Sequence, residues 1–340
     1  MGVRRPPPAD APPPPAHDPP YPPLELAFRV GSLAETEDLW GTYESMGTES
    51  KSRILGALPP GWNIEGKRVL DFGCGAGRTL RQFIPEAEIA EFHGCDIDEP
   101  SIEWLDEHLS PPLHVFANRE SPPLERPDAS FDLIYCLSVF THLTESWSAW
   151  LLELHRLLRP DGFLIATFLG PKRAARVLSP HVVGDGIDPD RIGMNELAHG
   201  RPWDFGGPLV VHSPWWIRAH WGRAFEILRL DEEGFWEDWD QGFTVMRKRD
   251  RVLSIEDLEL PEPDEPRELL AAHENVRQLG RQLAPFWERM YSLRERHATM
   301  RSELTGLRES KSAERKRLAE LQRELTTLQT RPGANQPHDS

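Results

Sequence analysis

Lys67-Arg68-Val69-Leu70-Asp71-Phe72-Gly73-Cys74-Gly75-Ala76-Gly77-Arg78-Thr79-Leu80 is the stretch that decides the fold. Val69 and Leu70 form a short apolar run that reads as a buried strand ending in an acidic residue. Glycines at alternate positions then make a G-x-G-x-G turn, followed by an amphipathic helix with Leu80, Phe83 and Ile84 on one face. Glycine lets the backbone turn tightly and approach a ligand with no Cβ in the way. The free N–H groups of the helix start suit a carboxylate or a phosphate. Any nucleotide-like ligand would satisfy that description. The next strand narrows it, because Phe92-His93-Gly94-Cys95-Asp96-Ile97-Asp98 puts Asp96 25 positions beyond Asp71. A carboxylate at that strand end can accept both hydroxyls of a ribose. A dinucleotide site expects G-x-G-x-x-G, and here the third glycine arrives one residue early, which tilts the reading away from NAD.

Outward from this motif the composition changes along the chain. Residues 1–23 hold eleven of the 33 prolines, so a Pro-rich, disordered leader is expected over 1–35. Residues 36–250 alternate strand-like runs with amphipathic stretches, an α/β pattern with a doubly wound sheet. An acidic, proline-broken linker follows at 251–268, then a periodic segment at 269–330 and a disordered tail at 331–340. No window approaches eighteen consecutive apolar residues, so no transmembrane segment is expected. Met1-Gly2-Val3-Arg4-Arg5 leads into prolines rather than an apolar run, which is not a secretory signal, and the expected location is cytoplasmic. Cys74, Cys95 and Cys136 include no CxxC pair, and no His or carboxylate spacing suggests a metal. The net charge of −16 argues against nucleic acid as a partner.

The sequence resembles the class I S-adenosylmethionine-dependent methyltransferases. The likeness rests on Val69–Arg78 and Gly94-Cys95-Asp96-Ile97-Asp98, then on two later blocks. These are Ser130-Phe131-Asp132-Leu133-Ile134-Tyr135-Cys136-Leu137-Ser138-Val139-Phe140-Thr141-His142-Leu143 and Leu157-Leu158-Arg159-Pro160-Asp161-Gly162-Phe163-Leu164-Ile165-Ala166-Thr167. All four come in the family's order and spacing, over about 67–170. The resemblance implies a Rossmann-like, seven-stranded doubly wound sheet and S-adenosyl-L-methionine as cofactor. Asp71, Gly73 and Gly75 would line its methionine end, Gly77 would belong to the same cofactor-binding turn, Asp96 would hold the ribose and Ile97 would lie on the adenine. Asn118 would stand near the adenine amino group, where the family more often has an aspartate. Ser138 and Val139 would lie beside the sulfonium. Asp18-Pro19-Pro20-Tyr21 spells the DPPY motif of DNA amino-methyltransferases, but it sits in the Pro-rich leader with no strand before it, so composition explains it.

Methyl transfer to a hydroxyl benefits from a general base. His142, just past the fourth strand, and His212, in Val211-His212-Ser213-Pro214-Trp215-Trp216, are the candidates. Ser213 is a fitting N-cap with Pro214 at the first helical position. Residues 171–210 read as a substrate-loop insertion. Trp203, Trp215, Trp216, Trp221, Trp236 and Trp239 suggest core packing first and sugar stacking second. Phe225–Leu230 and Gln241–Arg247 read as the closing strands, with Gln241 either in a turn or facing the active site. The Ser138–Leu143 block, His212-Ser213-Pro214 and the Gln-led last strand resemble methyltransferases of glycan and polysaccharide synthesis. That resemblance implies O-methylation of a sugar hydroxyl in a glycan or glycolipid. A small-molecule natural product or lipid-linked acceptor, and a non-catalytic scaffold, stay open.

The periodic segment has Val276, Leu283, Met290, His297, Leu304, Lys311, Leu318 and Leu325 at heptad position a. Position d holds Leu279, Phe286, Leu293, Met300, Leu307, Glu314, Leu321 and Leu328. Thirteen of these sixteen are apolar, which argues for a coiled coil and hence for a homo-oligomer or a partner helix. Pro285 is expected to kink or interrupt its early part.

Overall fold

The computed structural model describes residues 12–30, 36, 38–172, 191–197, 207–236 and 241–330. The chain divides into two compact units, 1–279 and 280–340. Most of the 171–210 insertion, with Trp203, and also Trp239 and the 331–340 tail lie outside the described residues.

The first unit is built on a seven-stranded sheet, as expected. Its strands are β1 (Arg68–Phe72), β2 (Glu91–Asp96), β3 (His114–Ala117), β4 (Phe131–Cys136), β5 (Leu158–Phe168), β8 (Phe225–Asp231) and β9 (Gly242–Lys248). Their order is β3-β2-β1-β4-β5-β9-β8. All neighbours run parallel except β9, which is antiparallel to both β5 and β8. The central strands are apolar on both faces because both are covered by helices. One face packs against α2 (Leu39–Ala57) and α3 (Glu99–Leu109), around Ile54, Phe83, Phe92 and Leu105. The other packs against α4 (Trp147–Leu157) and α5 (Pro214–Ala224), around Trp150, Leu154, Ile217 and Trp221. A small second sheet pairs β6 (Met194–Glu196) with β7 (Val210–His212). β7 is tied to the carboxyl end of β5 through His212 N–H to the Leu169 carbonyl, 2.9 Å.

Four local expectations differ from the structure. The segment after the glycine turn, Leu80–Glu88, is a 3-10 helix rather than an α-helix. Pro85 lies inside it, has no N–H and cannot sustain an i→i−4 ladder, while Leu80 and Phe83 are still fully buried. The leader is packed over its described part. Tyr21 packs tilted against Trp40 and edge-on against Tyr43, Arg81 lies over the Tyr21 ring at 4.4 Å, and α1 (Leu24–Ala27) buries Leu26 and Ala27. The aromatic and aliphatic residues at 21–28 anchor a stretch whose proline content alone suggested none.

The linker is also folded. Ser254 and Asp257 make a reciprocal capping box that opens α6 (Ile255–Glu259), and Leu258 is fully buried. Arg223 donates to the carbonyls of Asp257, Leu258 and Leu260, so the end of α6 is satisfied from α5. The last helix, α7, spans Arg267–Gln329 and runs on through Pro285. Within the first unit its opening turns are held by Glu268 on His220, 2.9 Å, and by Asn275 on the Met194 carbonyl, 2.9 Å. In the second unit the seam side chains are exposed, from 36% at Met290 to 73% at Phe286. No helix among the described residues is long and apolar enough to cross a membrane.

Candidate active site

The carboxyl ends of β1, β2, β4 and β5 converge with the turn before β9. Gly73, at φ 84°, and Gly77, at φ 77°, occupy the left-handed region in the turn after β1. A Cβ on Gly73 would lie 2.4 Å from Val139 Cγ2, so the turn after β1 and the loop after β4 meet only because residue 73 has none. α2 covers the turn, with Tyr43 donating to the Ala76 carbonyl at 3.2 Å.

At the end of β2, Asp96 accepts from Gly75 N–H at 2.7 Å and from Asp98 N–H at 2.9 Å, one on each carboxylate oxygen. Each oxygen keeps a second lone pair, which is what two ribose hydroxyls need. Burial pushes the Asp96 carboxyl up, against the pull of those N–H groups. Ile97 presents a half-exposed apolar side chain beside it. Asn118 is joined to this edge through its own N–H to the Asp96 carbonyl, 3.0 Å. Its Nδ2 donates to the Arg119 carbonyl, which leaves Oδ1 as the acceptor, buried and without a partner. An orphaned acceptor there fits the exocyclic amine of an adenine.

Asp71, at the end of β1, is 3% exposed, and burial holds its carboxyl well above the usual carboxylate range. The Tyr135 hydroxyl and the buried Arg78 oppose that rise, and the Asp96 charge adds to it. An ammonium group arriving beside Asp71 would relieve the burial cost, which suits the amino group of a methionine moiety. These residues together fit S-adenosyl-L-methionine. Asp71, Gly73 and Asp96 would hold it, with Asn118 at the adenine.

Ser138 follows β4 at φ 61°, a strained position for a residue with a side chain. Its N–H donates to Thr167 Oγ1 on β5 at 2.7 Å, and its hydroxyl meets the Gln241 amide at 3.0 Å. Thr167 and Gln241 are both buried, at 0% and 2% exposure. Thr167 was not singled out in the sequence, although a lone hydroxyl in the apolar run Leu164–Phe168 was a readable signal. His142, four residues further on, points Nδ1 at the Pro208 carbonyl, 2.7 Å away. A carbonyl only accepts, so Nδ1 is the donor in this contact. His212 is elsewhere in character. Its ring is fully buried between Trp216 and Trp221, neither ring nitrogen has a partner among the described residues, and burial lowers its pKa to about 3. Trp216, Trp221 and Trp236 are core residues. Trp215 bonds the Ile192 carbonyl and lies under Arg267, so these four pack rather than offer open stacking faces.

Residues 70–164 match the family profile described as a methyltransferase domain. By that match this stretch is a methyltransferase domain. The chain is 28% identical over 110 residues to the fatty-acid O-methyltransferase of Mycolicibacterium smegmatis, covering 32% of this chain and 40% of that protein. It is 29% identical over 132 residues to the 27-O-demethylrifamycin SV methyltransferase of Amycolatopsis mediterranei, covering 38% of this chain and 47% of that protein. The chain thus spans less than half the length of these relatives. Among solved structures, the magnesium protoporphyrin IX methyltransferase of Synechocystis PCC 6803 with bound SAH aligns at a TM-score of 0.45 and 19% identity, over 65% of this chain and 91% of that one.

Proposed function

We propose that the protein is an O-methyltransferase that acts on a hydroxyl, with His142 as general base. The observation that carries this is the Nδ1 contact to Pro208, which orients the His142 ring on the loop after β4. The loop holding His142 begins at Ser138 and Val139, against the glycine turn, so the base and the cofactor's methyl end share one loop. When bound, S-adenosyl-L-methionine supplies an electrophilic methyl group on a sulfonium. The acceptor hydroxyl would take that methyl and give up its proton, with the His142 ring as the base that receives it. Ser138, Thr167 and Gln241 hold the loop still, because an in-line displacement depends on alignment.

The relatives' names support an oxygen acceptor of lipid or polyketide type. Sequence resemblance around Ser138–Leu143 and His212-Ser213-Pro214 supports a second reading, a sugar hydroxyl in a glycan or glycolipid. Radiolabelled-methyl transfer to a hydroxylated fatty acid, a hydroxylated polyketide macrocycle and a short oligosaccharide tests both. We expect label on one class of hydroxyl, and kcat to fall at least about a hundredfold in His142→Ala with cofactor affinity kept. Tight cofactor binding with no turnover on any of the three would favour a non-catalytic scaffold instead.

A further inference from the structure

The seam of the second unit carries two charged residues in adjacent positions, Lys311 at a and Glu314 at d, between two apolar blocks. Met300, Leu304 and Leu307 lie on one side of them, and Leu318, Leu321, Leu325 and Leu328 on the other, all 47–70% exposed. A two-stranded coil would bury these side chains, so the orientation of the second strand decides what the charges meet.

In a parallel, in-register pair of identical helices each seam residue meets itself. Lys311 would face Lys311 and Glu314 would face Glu314, two like-charge contacts in a partly desolvated seam, where an uncompensated charge is most costly. Arg289 would also flank Arg294, and Arg296 would flank Arg301, with only Glu303 and Arg308 attracting. An antiparallel pair layers a against d. With the two-fold axis between Ser312 and Ala313, Lys311 of each copy meets Glu314 of the other. The same register seats Leu307 on Leu318, Leu304 on Leu321, Met300 on Leu325 and His297 on Leu328. It leaves like charges only at the rim, Arg308 by Arg315 and Glu303 by Glu324, where water and salt screen them. Seam charges outweigh rim charges, so the antiparallel register wins.

We propose that the 297–328 face is covered by a second copy of this helix, antiparallel, in the register fixed by reciprocal Lys311–Glu314 pairs. This is independent of the methyl-transfer reading. The test uses the full chain in sedimentation equilibrium. The wild type should reach twice 38.8 kDa. Lys311→Glu and Glu314→Lys should each weaken dimerisation by at least about tenfold, since each turns both seam pairs into repulsions. The double variant K311E/E314K should restore it. In a parallel pair the single variants merely exchange one like pair for another, so unchanged dimerisation overturns the proposal.

Thiols read the orientation directly, because Cys74, Cys95 and Cys136 are buried and give little background. Leu304→Cys and Leu321→Cys should form disulfides with each other when mixed and not within either variant alone. Self-cross-linking of Leu304→Cys, a trimer, or a wild type that stays monomeric at about 100 μM would each overturn the proposal. Unaltered cofactor binding and far-ultraviolet circular dichroism show that the variants are folded, so loss of association is read as loss of the interface.

Discussion

Gln241 and Ser138 are 103 positions apart in sequence, yet the Gln241 amide Nε2 lies 3.0 Å from Ser138 Oγ. This contact bridges the turn before β9 to the loop after β4, across the end of β5, where Thr167 takes the Ser138 N–H. A residue at φ 61° persists only when its surroundings over-determine it. We therefore expect Gln241→Ala to loosen the loop that carries Val139 and His142. Displacements near an ångström cost up to about a hundredfold in rate, so kcat/KM should fall about ten- to a hundredfold. Cofactor affinity should change less than threefold, because Gln241 touches neither Asp96 nor Asp71. Steady-state kinetics beside calorimetry checks both numbers.

Asp96 is the second target. Asp96→Asn keeps one acceptor oxygen and replaces the other with a donor that opposes either the Gly75 N–H or the Asp98 N–H. Losing one charged hydrogen-bond acceptor costs about 1.5–3 kcal/mol, which is roughly a ten- to hundredfold rise in Kd for S-adenosyl-L-methionine. Calorimetric titration of the variant measures it. An unchanged Kd would remove Asp96 from the cofactor site.

The contact between Gly73 and Val139 gives a sharper steric test. Gly73→Ala brings a Cβ to 2.4 Å from Val139 Cγ2 and forces alanine to φ 84°. We expect a loss of about 1–3 kcal/mol in stability from the backbone conformation, with a further loss from the clash. Val139→Ala removes the clashing methyl and leaves the φ penalty. The double variant should therefore be less impaired than the sum of the two single ones, and chemical denaturation of all four proteins measures that coupling.

How much of this was readable follows from which contacts are local. The strand–glycine turn–strand pattern set the order of β1 and β2 because each signal lies within a few residues. Asp96, Ile97 and Ser138 were findable at strand ends for the same reason. Gln241 and the lone hydroxyl of Thr167 are visible in the sequence, but that both meet Ser138 follows only when β4, β5 and β9 lie side by side. The helix at 80–88 is legible from Leu80, Phe83 and Ile84, whose spacing suits both helix types, and Pro85 makes it a 3-10 helix. The packing of residues 21–28 and the helix in the linker are not legible because proline and acid content outweigh a few anchors, Tyr21, Leu26 and Leu258, that tertiary contact makes decisive.

His212 gives the prediction that separates packing from catalysis. Its ring is fully buried with a pKa lowered to about 3, against about 6.5 for an unfolded histidine. Between those values the unfolded chain binds the extra proton, so stability is fully present above about pH 6.5 and is lost as pH falls toward 3. From pH 7 to pH 5 this one group removes about 2 kcal/mol. His93, lowered to about 4 by burial and by His114, adds in the same direction. His212→Phe should therefore be at least as stable as wild type at pH 7, since neither ring nitrogen has a bond to lose. On acidification to pH 5 it should lose about 2 kcal/mol less than wild type in urea titrations. The same variant decides the chemistry. If it turns over at the wild-type rate while His142→Ala does not, His212 is a core ring between Trp216 and Trp221. If kcat collapses in His212→Phe with stability intact, the ring must reach the acceptor in the reacting complex, and the base assignment moves from His142 to His212.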